Sequence, residues 1–162
     1  MTITQTARKN KKLALDVEEP SKLVGHHLGN AQTSVPLFNS KVSAGFPSPA
    51  DDYLEDTIDL NKFLINHPAA TFIVRAGGES MMTYIHPNDL LIVDRSITPV
   101  IGHIVIAVVD GQLTVKYLKN SSNGLVLMPT NPKFKSIAMA EHGDVCIWGV
   151  VIHIIRTVEK IL

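Results

Sequence analysis

Ile104-Val105-Ile106-Ala107-Val108-Val109-Asp110-Gly111-Gln112-Leu113-Thr114-Val115-Lys116-Tyr117-Leu118 carries the strongest structural signal in the chain. Two runs rich in β-branched and apolar residues flank an Asp-Gly pair. A two-residue hairpin turn needs positive φ at both central positions, which Asp and Gly tolerate. The stretch therefore predicts a β-hairpin with arms Ile104–Val109 and Leu113–Leu118.

Runs of the same kind lie on both sides of it, at Thr71–Ala76, Leu90–Val93, Leu125–Met128, Ser136–Met139 and Val145–Ile155. Turn signals separate them: Pro87-Asn88, Ser122-Asn123-Gly124, Asn131-Pro132 and His142-Gly143. Short strands at this spacing predict a compact, mainly β, mostly antiparallel domain. One short helix is expected at Leu60–Asn66, with Asp59 as its N-cap and Pro68 closing the region. Asp51–Asp56 is acidic and reads as surface.

Upstream the chain changes character. Residues 1–33 are polar with little periodicity, which predicts an extended, flexible arm with room for one short helix near Ser21–Leu28. Residues 1–44 carry six cations against three carboxylates, although the whole chain balances 15 against 15. No strong direct binding of nucleic acid is expected from that asymmetry. Phe46-Pro47-Ser48-Pro49-Ala50 favours extended backbone because of its two prolines. The peptide bond just before it, Ala44-Gly45, is expected to be exposed and small enough for a shallow cleft.

The remaining totals exclude several classes. Cys146 is the only cysteine among 162 residues, so no intramolecular disulfide is possible, as suits a reducing cytoplasm. No apolar run of signal-peptide or membrane-span length is present, and the reading is cytoplasmic with no membrane partner. His26-His27 has no convincing third ligand, so neither metal nor cofactor is expected. Trp148 and Cys146 alternate with Ile147, and one of these faces is expected to enter the core or a dimer interface.

The chemistry-bearing stretch is Gly77-Gly78-Glu79-Ser80-Met81, directly after the run Thr71–Ala76. It places a small hydroxyl on a glycine-loosened turn, with Met81 as a packing residue beside it. A serine needs a base to remove its proton. None of the seven histidines lies in a context that recommends it. A neutral lysine is the other route, since burial disfavours the ammonium and lowers its pKa. Lys116 lies 36 residues after Ser80, on the second arm of the hairpin. Alternation puts Thr114, Lys116 and Leu118 on one face and Leu113, Val115 and Tyr117 on the other. By alternation alone Lys116 reads as a solvated side chain, and Gly-Gly-Glu-Ser reads first as a turn.

Taken together, Ser43–Ala50, Gly78-Glu79-Ser80-Met81, Asp89–Asp94, Thr114-Val115-Lys116 and Trp148–His153 resemble the UmuD family, self-processing relatives of the LexA repressor. The resemblance spans roughly residues 35–157. It implies a LexA/UmuD-like peptidase domain at 45–162 and an arm at 1–44 removed by self-cleavage. It also implies a Ser-Lys dyad in which Ser80 attacks the Ala44 carbonyl while Lys116, now buried, takes and returns the proton. The backbone N–H groups of Glu79 and Ser80 would bind the oxyanion. The family's partners would follow: a homodimer, the RecA filament on single-stranded DNA as stimulus, and a UmuC-type translesion polymerase in the SOS response. Loop Met82–Asp89 lacks the family's glycines; Asn88 can supply left-handed backbone in their place. A non-catalytic dimeric adaptor and a LexA-like regulator are the competing readings.

Overall fold

The hairpin forms as its sequence dictates. In the computed structural model, which describes residues 34–38, 54–141 and 144–158, Asp110 and Gly111 take φ of 50° and 81°. They connect a strand at Ile104–Val109 to one at Gln112–Ser121, with Val109 opposite Gln112.

In chain order the strands are β1 Ser34–Phe38, β2 Leu54–Asp59, β3 Thr71–Arg75, β4 Leu90–Asp94, β5 Ile104–Val109, β6 Gln112–Ser121, β7 Gly124–Met128, β8 Ile137–Ala138 and β9 Val145–Ile155. Helix α1, Leu60–Leu64, follows β2. Strands β3 to β9 form one sheet, ordered β3-β4-β9-β5-β6-β7-β8, with every neighbouring pair antiparallel. The long strand β9 is third in this order, an inner strand between β4 and β5. It must match two neighbours of different register, and the pairing shifts at Ile92/Val93 on one side and Ile106/Ala107 on the other. Such bulges bend a strand and increase its twist. Gly149, opposite Ile106 at the second shift, lies close to β4: a Cβ there would be 2.7 Å from Val93 Cγ1.

The apolar residues divide into two clusters. Ala76, Met81, Ile85, Leu91, Val93 and Ile106 form one, with Trp148 and Val151 packed against it. Val105, Ala107, Leu118, Leu127 and Val150 form the other, joined by Val145 and Ile147. Trp148 and Ile147 thus serve different clusters, while Cys146 is exposed. The first cluster matters most for the site, because Met81 and Ile85 belong to the loop carrying Ser80.

Two expectations need adjustment. The helix stops at Leu64, with Ile65 as an extended C-cap, whereas the expected end was Asn66. Asp59 caps its start as expected, accepting from the N–H groups of Asn61 and Lys62. Ser34–Phe38, read as arm, is a strand paired antiparallel with β2, which covers part of the acidic stretch. The pair is a two-stranded sheet, so each strand is an edge, where Pro36 is tolerated. The expected helix near Ser21–Leu28, His26-His27, the extended stretch Phe46–Ala50 and the turn His142-Gly143 lie outside the described residues.

Candidate active site

Ser80 sits in the 76–89 connection between β3 and β4. Gly78 has φ of 79°, a left-handed geometry that turns the chain just before the serine. Asn88 has φ of 73°, so it supplies the left-handed residue that a glycine would otherwise provide. The base of the connection closes through Asn88 N to Ala76 O and Ala76 N to Asp89 O, both 2.8 Å. Met81, 1% exposed, anchors the serine's immediate neighbour in the first apolar cluster.

Lys116 comes from β6, and its Nζ lies 2.8 Å from Ser80 Oγ. The lysine is only 6% exposed. This corrects the solvated reading that alternation favours: strand periodicity assigns a side but cannot reveal what covers that side. Burial pushes the Lys116 amine below its usual range. Two further acceptors surround the nitrogen, Thr114 Oγ1 at 2.8 Å and Val115 O at 3.0 Å. An ammonium has three donors and would satisfy all three oxygens. A neutral amine has two donors and one lone pair. It can donate to Thr114 and Val115 and accept from the Ser80 hydroxyl. The same arrangement therefore accommodates both protonation states without moving a heavy atom.

The β7–β8 connection holds the serine from another side. Thr130 N and Asn131 N each donate to Ser80 O at 3.0 Å, and Asn131 Nδ2 donates to Glu79 O at 3.0 Å. In a trans peptide the C=O and N–H point opposite ways. Pinning Glu79 O thus aims the Ser80 N–H away from Asn131. Among the described residues nothing accepts from the N–H of Glu79 or Ser80. Asn131 gave only a turn signal in the sequence. Its second role required knowing that β7 ends beside the serine. Thr114 was likewise read only for its side of the strand and as part of the motif Thr114-Val115-Lys116.

Ala44 and Gly45 lie outside the described residues, so the geometry concerns Ser80, Lys116 and Glu79 alone. Among the described residues no group of three or more His, Cys, Asp or Glu side chains is placed to hold a metal ion. None of their helices is long and apolar enough to cross a membrane.

Comparison with known proteins agrees with this architecture. The Peptidase S24-like family model matches residues 36–152. Protein ImpA of Escherichia coli is 44% identical over 128 residues, covering 78% of this chain and 86% of ImpA. Protein SamA of Salmonella typhimurium strain LT2 is 47% identical over 107 residues, covering 65% and 76%. Protein MucA of Escherichia coli is 40% identical over 122 residues, covering 74% and 83%. An antiparallel β domain with a serine-lysine contact, matched over most of its length by one peptidase family, leaves a plain conclusion: this chain is a UmuD-like member of the Peptidase S24-like family.

Proposed function

We propose that the protein cleaves its own chain at Ala44-Gly45 with Ser80 as nucleophile and Lys116 as general base. The observation that carries this is the 2.8 Å contact between Lys116 Nζ and Ser80 Oγ, made by a lysine whose burial favours the neutral amine. The neutral amine takes the Ser80 proton as Oγ bonds to the Ala44 carbonyl carbon. The tetrahedral oxyanion is held by the N–H groups of Glu79 and Ser80. Lys116 then gives the proton to the Gly45 nitrogen as the C–N bond breaks. Water, deprotonated by the same lysine, releases Ala44 as a carboxylate and restores Ser80. No cofactor enters the reaction.

The arm at 1–44 is then the leaving segment, and 45–162 is the product. Its UmuD-like relatives support a role related to the SOS response; the full reading makes the protein a cytoplasmic homodimer whose cleavage is stimulated by RecA filaments on single-stranded DNA. The trimmed dimer would serve a UmuC-type translesion polymerase.

Intact mass followed over time tests the chemistry, at about pH 7 and about pH 10, because deprotonating lysine replaces the need for an activator. A break at Ala44-Gly45 at the higher pH that is missing in Ser80→Ala and Lys116→Ala is the expected result. An intact parent chain in all conditions, with activated RecA included, removes the peptidase reading and favours the adaptor.

Thr114→Val refines the test. Valine keeps the shape but removes an acceptor that favours the ammonium, so the alkaline limb of the cleavage profile should move to lower pH. Losing one hydrogen bond of ~1 kcal/mol should also reduce the plateau about fivefold, because the amine is held less firmly. A profile superimposable on the parent's would show that Thr114 has no part in the site.

A further inference from the structure

The turn that follows Ser80 is tied to itself: Met81 O accepts from Tyr84 N at 2.9 Å and Ile85 N at 2.7 Å. The base of the same loop is tied separately, through Ala76, Asn88 and Asp89. Arg156, just past the end of β9, connects the two. Its Nε donates to Asp89 Oδ1 at 2.8 Å, and its Nη2 donates to Asp89 Oδ2 at 2.6 Å and to Tyr84 O at 3.1 Å. Asp89 is 2% exposed, and its Oδ2 also accepts from His86 N at 2.8 Å. Its hydrogen bonds to Arg156 hold its carboxyl below the usual range.

This is more than charge neutralisation. A guanidinium is a rigid planar fork, so a bidentate pair fixes direction as well as distance. Asp89 is buried while Arg156 is exposed, and desolvating the carboxylate offsets much of the attraction, so the pair is weak evidence of stabilisation. What this pair does geometrically is clearer. It joins the end of the inner strand β9 to both the base and the turn of the nucleophile loop. Thr130 and Asn131 hold the Ser80 carbonyl from the β7–β8 connection. Thus two elements distant in sequence fix the loop.

We propose that Arg156, through Asp89 and the Tyr84 carbonyl, is a positioning residue that holds the Ser80 loop against Lys116. The inference rests on the Ser80-Lys116 reading above and adds a residue that never touches the reacting atoms. Without the clamp the turn 81–85 can shift relative to its base, and ångström-scale misplacement of a nucleophile costs up to ~100-fold in rate. Loosening would also admit water to Lys116. That relieves the burial that lowers its pKa and moves the alkaline limb of cleavage to higher pH.

The test compares the full-length parent, Arg156→Met and the double variant Asp89→Asn with Arg156→Met. The double variant leaves no unpaired buried charge and remains informative if the single variant does not fold. Cleavage rates across pH are read beside the folded fraction from circular dichroism. Labelling of Ser80 by a biotinylated fluorophosphonate is followed in parallel. The expected result in a folded variant is a plateau about tenfold or more below the parent's, with its midpoint at higher pH. Labelling should slow in step. A parental plateau and midpoint in a folded variant overturn the proposal. So does a loss that merely tracks the unfolded fraction with the midpoint unmoved, because a purely structural role predicts that. If the parent labels at Ser80 but never cleaves, the self-cleavage reading fails and the clamp is judged on labelling rates. If the parent does neither, Ser80 is no nucleophile and the clamp has nothing to position.

Discussion

Lys116→Met should lose self-cleavage by about a thousandfold or more and yet fold at least as stably as the parent. The first half follows from the chemistry: no other amine is bonded to the Ser80 hydroxyl among the described residues. The second half follows from burial. The parent must either bury an ammonium or give up its proton on folding, and each costs free energy at neutral pH. Methionine fills similar volume and carries no charge. The sign of the pH dependence can be worked out. Lys116 is lowered in the folded state from an ordinary value of 10.5, so between the folded value and 10.5 the unfolded chain binds more protons. Stability of the parent therefore rises with pH through that window, levels off above it, and carries the full penalty below it. The methionine variant lacks this contribution. Urea denaturation of both proteins across the window gives the answer, read as the difference between their stabilities. That gap should be largest at neutral pH and shrink as pH rises. A constant gap would mean that Lys116 keeps its proton equally in both states, and the base would have to be sought elsewhere.

Much of this architecture can be read from the chain because its signals are local. The Asp110-Gly111 turn and the strands Ile104–Val109 and Val145–Ile155 follow from turn chemistry and β-branched runs, and the structure has those bounds. Asn88 was recognisable as a left-handed position because the family has glycines in this loop and asparagine tolerates the geometry they supply. The proximity of Ser80 and Lys116 was not recognisable in this way, since 36 residues and a sheet order lie between them. Periodicity even pointed the wrong way for Lys116, and only the family resemblance placed it indoors. Asn131 and Arg156 were missed for the same reason. Each acts through a contact between segments, from 52 to 72 residues apart, that no window of sequence contains. The strand at Ser34–Phe38 was missed because the segment was counted with the polar arm, and its partner β2 lies about 20 residues further on, across a stretch that gives no hairpin signal.

Met81 ties the serine loop to the core. Met81→Ala should cost about 2–5 kcal/mol, the range for emptying a large buried side chain in a packed core. The residue is 1% exposed and packs among Ala76, Ile85, Leu91, Val93 and Ile106. Most of these neighbours sit on strands whose backbone hydrogen bonds resist collapse into the cavity. Relaxation must therefore come from the loop, the softer partner, through the Met81 carbonyl that binds Tyr84 N and Ile85 N. Ser80 is the adjacent residue, so the loop should move at the expense of the 2.8 Å contact with Lys116. Cleavage per folded molecule should fall along with the urea midpoint, whereas Met81→Leu, which conserves volume, should cost under ~1.5 kcal/mol and keep the parental rate. The two variants separate packing from chemistry. If alanine destabilises the fold but folded molecules still cleave at the parental rate, the cavity is absorbed elsewhere and Met81 is core alone. If leucine also slows cleavage while stability holds, the shape of the thioether chain itself sets the serine's position.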